Sequence, residues 1–236
     1  KEAILASVLC RPSTTRTIVF FETKKDAHRF HILLTLLGSK SAEMHGDLAQ
    51  IQRNHALQQF KTGSVDVLIA TDVASRGIDI PGVLCVVNAE MPRSVSTYVH
   101  RVGRTARAGS SGRSVTIVSD GRRKVLKSLL KGGEAVSLGE NGEQSILQRT
   151  VPPSAITSYT ERIAGLEERI SEMLLAEKDN KQIDDALREA ERVENLIAFE
   201  DEIKARPSRA WYQSENQKKA VAEASKVANE KALDEL

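Results

Sequence analysis

The chain has 236 residues, of which 40% are hydrophobic, and its formal net charge at pH 7 is +2. This length and apolar content allow one sizeable domain with a packed core plus an extension. No apolar run approaches membrane-spanning length and no signal-peptide pattern opens the chain, so we expect a soluble, intracellular protein. The charge is unevenly divided, because residues 1–130 carry 19 Lys and Arg against 10 Asp and Glu, whereas the remainder carries 15 against 22. The basic half suits an anionic partner such as a nucleotide or a nucleic acid.

The two cysteines, Cys10 and Cys85, are isolated in apolar surroundings, without a CxxC pattern or a matching histidine spacing. They are predicted to be reduced core residues in a reducing compartment, and no metal-ligand set is predicted in this chain. The first residue is Lys1 and not Met, so we expect the chain to be a fragment of a longer protein.

The first 130 residues alternate short apolar runs with amphipathic stretches. Helices are predicted at 1–11, 24–37 and 48–61, and strands at 16–21, 41–44, 65–70, 83–87 and 114–118. In the third of these helices Ile51, Leu57 and Phe60 are expected to face inward, with Gly63 ending the helix. Strands that alternate with helices of this length predict an α/β fold, with a parallel sheet covered by helices on both faces.

Short polar stretches follow three of the predicted strands. These are residues 22–23, 45–47 and 71–72. Taken singly, Thr23, Asp47 and Asp72 are adequately explained as a strand terminus, a helix cap and a turn former. Because ligands of parallel sheets gather at the carboxyl ends of the strands, their convergence predicts a functional site instead. Small hydroxyl and glycine positions there suit contacts to phosphates.

The stretch from Tyr98 to Gly112 carries Arg101, Arg104 and Arg107, spaced three residues apart. On a helix these arginines are expected to fan across one broad face, and neighbouring glycines, Gly112 among them, permit close backbone approach. The planar, forked guanidinium group suits bidentate contact with phosphate oxygens. An ordinary basic helix face is the alternative, but the position after a buried strand favours an anion site.

The rest of the chain is predicted to be a linker at 131–153 and a helical extension at 154–236. Apolar residues three and four apart run from Ile156 to Met173 and again from Ile183 to Ile197, with a polar interruption at 177–182. This pattern predicts two amphipathic helices, or one long helix with a break there. The apolar stripe either packs on the basic domain or docks a protein, or does both, and we expect residues 156–170 to pack partly on the domain. Trp211 and Tyr212 are typical of a partner-binding anchor, although packing against their own helices is an equal alternative.

Several ordered blocks within residues 1–125 resemble the second RecA-like domain of DEAD-box RNA helicases. They are IVFFET at 18–23, HGDLAQIQR at 45–53, ATDVASRGIDIP at 70–81 and YVHRVGRTARAG at 98–109. The helical extension with RAWYQ at 209–213, together with KKDAHRFHILLTLLG at 24–38, is similar to the nucleolar DEAD-box helicases of large ribosomal subunit assembly, the "deficiency of ribosomal subunits" type.

The resemblance implies roles for individual residues. The RNA backbone would be held by Thr23, Gly46, Gln50, Arg53 and Thr71. ATP would be bound by Gly77, Asp79, Arg104 and Arg107, of which Arg104 and Arg107 would be the catalytic arginine fingers. Contacts to the other RecA-like domain would come from Arg76, His100 and Arg101, and partner proteins would bind Trp211 and Tyr212. Mg²⁺ would be held by the first RecA-like domain, which we expect to precede residue 1. No GxxxxGK phosphate loop followed by Ser or Thr and no DEAD tetrapeptide occurs in this chain, which alone is expected to be inactive.

The function implied by the resemblance is that of the second motor domain of an ATP-dependent RNA helicase in large ribosomal subunit biogenesis. Its implied partners are pre-ribosomal RNA, proteins of the pre-60S particle bound through the extension, and its own first RecA-like domain. The implied location is the nucleolus, without a membrane. The alternative is a scaffold module for RNA and protein, whose helical arm recruits a partner while ATP turnover is incidental.

Overall fold

The computed structural model describes residues 1–11, 14–72, 80, 82–106, 111–123, 126, 149–200, 218–220 and 222–223. The chain divides into two compact units, Lys1–Leu175 and Ala176–Leu236. The boundaries predicted from the sequence for a domain, a linker and an extension stay a prediction, because most of the linker lies outside the described residues.

The described elements of the first unit are strands interleaved with helices, as the sequence predicts, and the last helix continues into the second unit. The strands are β1 (Thr17–Phe21), β2 (Ser41–Met44), β3 (Val67–Thr71), β4 (Cys85–Asn88) and β5 (Arg113–Thr116). The helices are α1 (Glu2–Leu9), α2 (Lys24–Leu36), α3 (Gln50–Thr62), α4 (Val95–Val102), α5 (Pro153–Ala164) and α6 (Glu167–Ala198), with a short 3-10 helix at Asp120–Arg122.

The five strands form one parallel sheet in the order β2-β3-β1-β4-β5. Phe21 of β1 is level with Thr71 of β3, and Phe20 of β1 is level with Asn88 of β4. The carboxyl ends of these three central strands therefore lie side by side. The predicted α/β class with a parallel sheet is confirmed.

Hydrophobic clusters cover both faces of the sheet. Phe20 lies in one cluster with Phe60 of α3, whereas Phe21 lies in the other with Leu5 of α1 and Phe30 of α2. The rings of Phe21 and Phe30 are 5.2 Å apart, centre to centre. Successive residues of β1 alternate between the two clusters because successive side chains of a strand point to opposite faces.

One residue of α3 does not face the core, contrary to expectation. Ile51 is 82% exposed, whereas Ala56 and Phe60 of the same helix are buried. Ile51 precedes Phe60 by about two and a half helical turns, so the two side chains point to opposite sides. Gly63 ends the helix at a φ of 77°, as predicted.

The beginning of the helical extension packs within the first unit. Ile163 of α5 and Ile170 of α6 are buried in the same cluster as Leu5 of α1, which confirms the expected partial packing of residues 156–170. At the rim of this contact Arg29 donates a hydrogen bond to Glu167, with Nη2 and Oε2 2.7 Å apart, and this bond lowers the pKa of the Glu167 carboxyl.

The helical extension breaks at a different place from the one predicted. Helix α5 ends at Ala164 with Gly165 as its cap, whereas α6 runs without interruption through 177–182. The polar residues at 177–182 interrupt the apolar stripe but not the backbone hydrogen bonds, because Glu, Lys and Gln are good helix formers and Gly is a poor one. Among the described residues, the helices include none with the length and apolar character needed to cross a bilayer.

Candidate functional site

The predicted RNA-binding residues lie along the carboxyl edge of three neighbouring strands. Thr71 is the last residue of β3, Thr23 follows the end of β1 by two residues, and Gly46 follows the end of β2 by two residues. Gln50 begins α3 shortly after Gly46. Since β2, β3 and β1 are adjacent in the sheet, the structure brings these four residues to one edge.

The local contacts of Thr23 and Gly46 differ. Thr23 caps α2, because its Oγ1 accepts a hydrogen bond from the backbone N of Asp26 at 3.1 Å and donates one to Asp26 Oδ2 at 2.7 Å. A Cβ built on Gly46 would meet no atom of the described residues within 4 Å. The described packing therefore does not require glycine at position 46. The space beside this backbone is open to a ligand.

The side chains at the start of α3 are held at the surface by short-range hydrogen bonds. Gln50 Nε2 donates to Asn54 Oδ1 at 2.9 Å, and Arg53 Nε donates to the carbonyl of Leu48 at 3.1 Å. Asp47, in the loop before the helix, forms a 2.6 Å ion pair with Lys24 of α2. Amide and guanidinium donors therefore border the same edge as Gly46.

Arg101 occupies a buried position at this edge and is only 3% exposed. Its Nε and Nη2 donate to the two carboxylate oxygens of Asp72 at 2.6 and 2.8 Å, and its Nη1 donates to Asn88 Oδ1 at 3.1 Å. The guanidinium carbon lies 5.2 Å from the centre of the Phe20 ring. One side chain of α4 thus binds to the ends of β3 and β4 and covers β1.

The expectation that three arginines share one helical face is wrong. Helix α4 ends at Val102, and Gly103 follows as its cap, so Arg104 lies beyond the helix. Sequence reasoning also missed Asn88 as a partner of Arg101. A polar residue that ends an otherwise apolar strand was the available signal, since a buried amide needs a hydrogen-bond partner.

The segment after α4 is fixed from the other side by Thr105. This residue is buried, and its Oγ1 donates to the carbonyl of Val83 at 2.7 Å. A Cβ on Gly112 would lie 2.3 Å from Thr105 Oγ1, so the predicted close backbone approach is confirmed at Gly112. Arg104 therefore lies between two buried anchors, Arg101 and Thr105, and its Nε donates to the carbonyl of His100 at 3.3 Å.

The remaining predicted residues divide into two groups. His100 is exposed near the end of α4. Outside the described residues lie Arg76, Gly77, Asp79, Arg107, Trp211 and Tyr212. The roles that the resemblance implies for them, and the interdomain role of Arg101, stay predictions.

A further polar cluster lies beside β2, the strand at one end of the sheet order, and it was not predicted from the sequence. Glu43 of β2 is contacted by His28 of α2 and by His45. Burial alone would raise the pKa of the Glu43 carboxyl, but the two histidines lower the pKa to about 2. Glu43 is therefore a carboxylate at neutral pH.

Comparison with known proteins agrees with this geometry. The family model described as helicase conserved C-terminal domain matches residues 1–109. The crystal structure of the E. coli DEAD-box protein SrmB is 35% identical with a TM-score of 0.53, and the match covers 64% of this chain and 90% of that one. The chain therefore belongs to the DEAD-box proteins and contains their C-terminal helicase domain.

Within this family the chain is similar to particular helicases. The ATP-dependent RNA helicase DRS1 of Pyricularia oryzae is 43% identical over 215 residues, which are 91% of this chain and 26% of that protein. Dbp5 of S. cerevisiae, solved bound to RNA and ADP BeF3, is 31% identical with a TM-score of 0.53 over 58% of this chain and 37% of that chain. These matches confirm the resemblance predicted from the sequence. The chain spans about a quarter of the length of the curated relatives that it matches first.

Proposed function

We propose that this chain is the second motor domain of an ATP-dependent RNA helicase. The observation that carries the proposal is the shared edge of the sheet. At this edge the strand-end residues predicted to bind RNA lie beside Asp72. Asp72 accepts hydrogen bonds from Arg101 and so fixes the part of the chain that leads to Arg104. A domain with both ligand surfaces at one edge can couple the binding of RNA to the binding of a nucleotide.

RNA is proposed to bind along the ends of β1, β2 and β3. The contacting residues are Thr23, Gly46, Gln50, Arg53 and Thr71. Hydroxyl, amide, guanidinium and exposed backbone groups are the donors that proteins direct at phosphate and sugar, and such contacts carry no base sequence. The RNA-bound structure of Dbp5 supports RNA as the ligand class, because that protein shares this fold.

Arg104 and Arg107 are proposed to act as arginine fingers toward ATP. Bound ATP supplies the phosphoryl group, and the guanidinium groups stabilise the charge that this group carries during transfer. The position of Arg104 supports this role, because two buried neighbours hold its backbone while its side chain is only half-buried. The guanidinium of Arg101 already donates hydrogen bonds to Asp72 and Asn88. Arg101 therefore fixes the chain before Arg104 and does not reach a phosphate from this position.

The other assignments follow from the family to which the chain belongs. Gly77 and Asp79 are proposed to contact ATP, and Arg76 and His100 the first RecA-like domain, which would hold Mg²⁺. The similarity to the ATP-dependent RNA helicase DRS1 supports helicase activity on RNA. From the resemblance to the nucleolar helicases of large ribosomal subunit assembly, we further propose a role in that assembly in the nucleolus, with pre-ribosomal RNA as the substrate. Trp211 and Tyr212 are proposed to bind a protein of the pre-ribosomal particle.

The test replaces Arg104 by Lys in the full-length protein. Lysine keeps the charge but loses the fork, so RNA-stimulated ATP turnover should fall at least about a hundredfold, given that a finger is worth on the order of 10³–10⁵ in rate. RNA affinity measured on the same variant by fluorescence anisotropy should be unchanged. The matched control is Arg188→Lys, at an exposed position of α6 outside every motif, which should leave both quantities unchanged. Normal turnover by the Arg104→Lys protein would contradict the finger role.

A scaffold function is the second candidate, and the exposed apolar side chains of the second unit favour it. Ile183, Leu187 and Ile197 of α6 are each more than half exposed. Under this alternative the arm recruits a partner and ATP turnover is incidental, so a strain that carries Arg104→Lys would assemble large ribosomal subunits normally. Loss of subunit assembly in that strain favours the motor function.

A further inference from the structure

Two side chains at the end of the outer strand β2 converge with a third from the neighbouring helix α2. His28 lies on α2 and Glu43 on β2, and His45 is the residue directly after β2. His28 Nδ1 is 2.9 Å from Glu43 Oε2, and His45 Nε2 is 3.3 Å from the same oxygen. One nitrogen or oxygen atom of each residue lies within 4.8 Å of the other two.

His45 is the unusual member of this cluster. Its side chain is only 7% exposed, yet neither ring nitrogen makes a hydrogen bond to a described residue. The approach of Nε2 to Glu43 is close but not aligned for a hydrogen bond. Buried polar groups in folded proteins are nearly always satisfied, so a buried nitrogen without a partner needs an explanation, and a bound ion provides one. Of these two nitrogens, Nε2 lies beside the Glu43 carboxylate, and the imidazole of His28 is close by.

The donor set has a definite chemical preference. Two imidazole nitrogens and one carboxylate oxygen are the protein ligands of zinc sites that keep a fourth position open. Mg²⁺ and Ca²⁺ prefer oxygen ligands only. Zinc–ligand bonds of about 2.0–2.2 Å in tetrahedral geometry place neighbouring ligand atoms roughly 3.4 Å apart. The observed separations of 2.9 and 3.3 Å need only small side-chain shifts to reach that value.

We propose that His28, Glu43 and His45 form a binding site for a divalent transition-metal ion of the Zn²⁺ class. A water molecule or an external ligand completes the coordination. The ion ties α2 to the end of β2, where two histidines otherwise share a single carboxylate. This site is independent of the proposed helicase function, which requires no metal ligand from this chain.

The experiment titrates the metal-free chain with Zn²⁺, using isothermal calorimetry and competition with a chromophoric chelator. One Zn²⁺ should bind per chain. Glu43→Gln and His28→Ala should each weaken binding at least about tenfold, since even the loss of an outer-shell partner typically costs 10–100-fold in affinity. The matched control is His55→Ala, because His55 is an exposed histidine of α3 outside the cluster. It should bind Zn²⁺ as the unaltered chain does.

Two further measurements keep the assignment open to refutation. Co²⁺ bound in place of Zn²⁺ should show no sulfur-to-metal charge transfer, which separates this site from binding by Cys10 or Cys85. In the unaltered chain, Zn²⁺ should shift the ring NMR signals of His28 and His45, and this readout does not depend on the folding of any variant. A chain that takes up no Zn²⁺, thiolate ligation of Co²⁺, or equal binding by the Glu43→Gln and unaltered chains would overturn the proposal.

Discussion

The same apolar spacing has different fates in the two halves of the helical extension. Ile163 and Ile170, within the first compact unit, are 9% and 0% exposed. Ile183 and Leu187, within the second unit, are both 58% exposed. The helical repeat of apolar side chains is similar in both halves, so the repeat specifies a helix and a stripe but not the surface that covers the stripe. Coverage depends on which element lies opposite.

The arginines that follow β4 show, for charged side chains, that regular spacing in the sequence does not give the same surroundings. Arg101 and Arg104 are of one residue type and three positions apart. Arg101 is buried against Asp72 and Asn88, whereas Arg104 lies beyond the end of α4 with its side chain half-buried. The regular spacing predicted a common face, and the end of the helix at Val102 separates the two side chains.

The largest expected effect tests the buried half of the apolar stripe. Ile170→Ala should lower the free energy of unfolding by about 2–5 kcal/mol, because it removes fully buried methyl groups and leaves a cavity. The matched change in the exposed half, Leu187→Ala, should alter this free energy by less than about 0.5 kcal/mol. Urea denaturation of both variants, followed by circular dichroism, measures the difference. Equal losses would mean that the second half is covered as well.

A smaller effect is expected when the two arginines are compared. Arg101→Met should cost about 2 kcal/mol, because it removes the guanidinium donors that bind the carboxylate of Asp72 and the buried oxygen of Asn88. The Asp72 side chain is 30% exposed, so water recovers part of the loss. Arg104→Met should cost less than about 0.5 kcal/mol. Urea denaturation of both variants in parallel checks the contrast, which fails if Arg104→Met is the more destabilising change.

The smallest expected effect concerns the ion pairs at the rim of the extension. Arg29 binds Glu2 and Glu167 at 3.0 and 2.7 Å, but all three side chains are partly exposed. Arg29→Ala should therefore cost about 0.5–1 kcal/mol, and the loss should shrink at high salt because ions screen such pairs. Arg188, which pairs with Asp185 at 3.6 Å on the surface of α6, supplies the control. Arg188→Ala should have no measurable effect on the free energy of unfolding at any salt concentration. If the loss caused by Arg29→Ala does not change with salt, the ion-pair explanation is refuted.

Much of the fold follows from the sequence because local physics decides it. Runs such as TIVFF at 17–21 are apolar on both faces, which suits a central strand of a parallel sheet and little else. Gly63 ends α3 because a left-handed backbone suits glycine. The polar residues that follow successive strands also had to share one edge, since parallel strands place their carboxyl ends together.

The tertiary structure alone decided which side chains meet. Ile51 was predicted to be buried because it is apolar. It is exposed because α3 turns a different face toward the sheet. Arg101 is buried because the end of β3 offers it a carboxylate, a contact across 29 residues that no local pattern encodes. The cluster of His28, Glu43 and His45 likewise exists only because α2 lies beside β2. Sequence periodicity fixes a side chain's direction relative to its own element, whereas the partner it finds depends on the packing of the other elements.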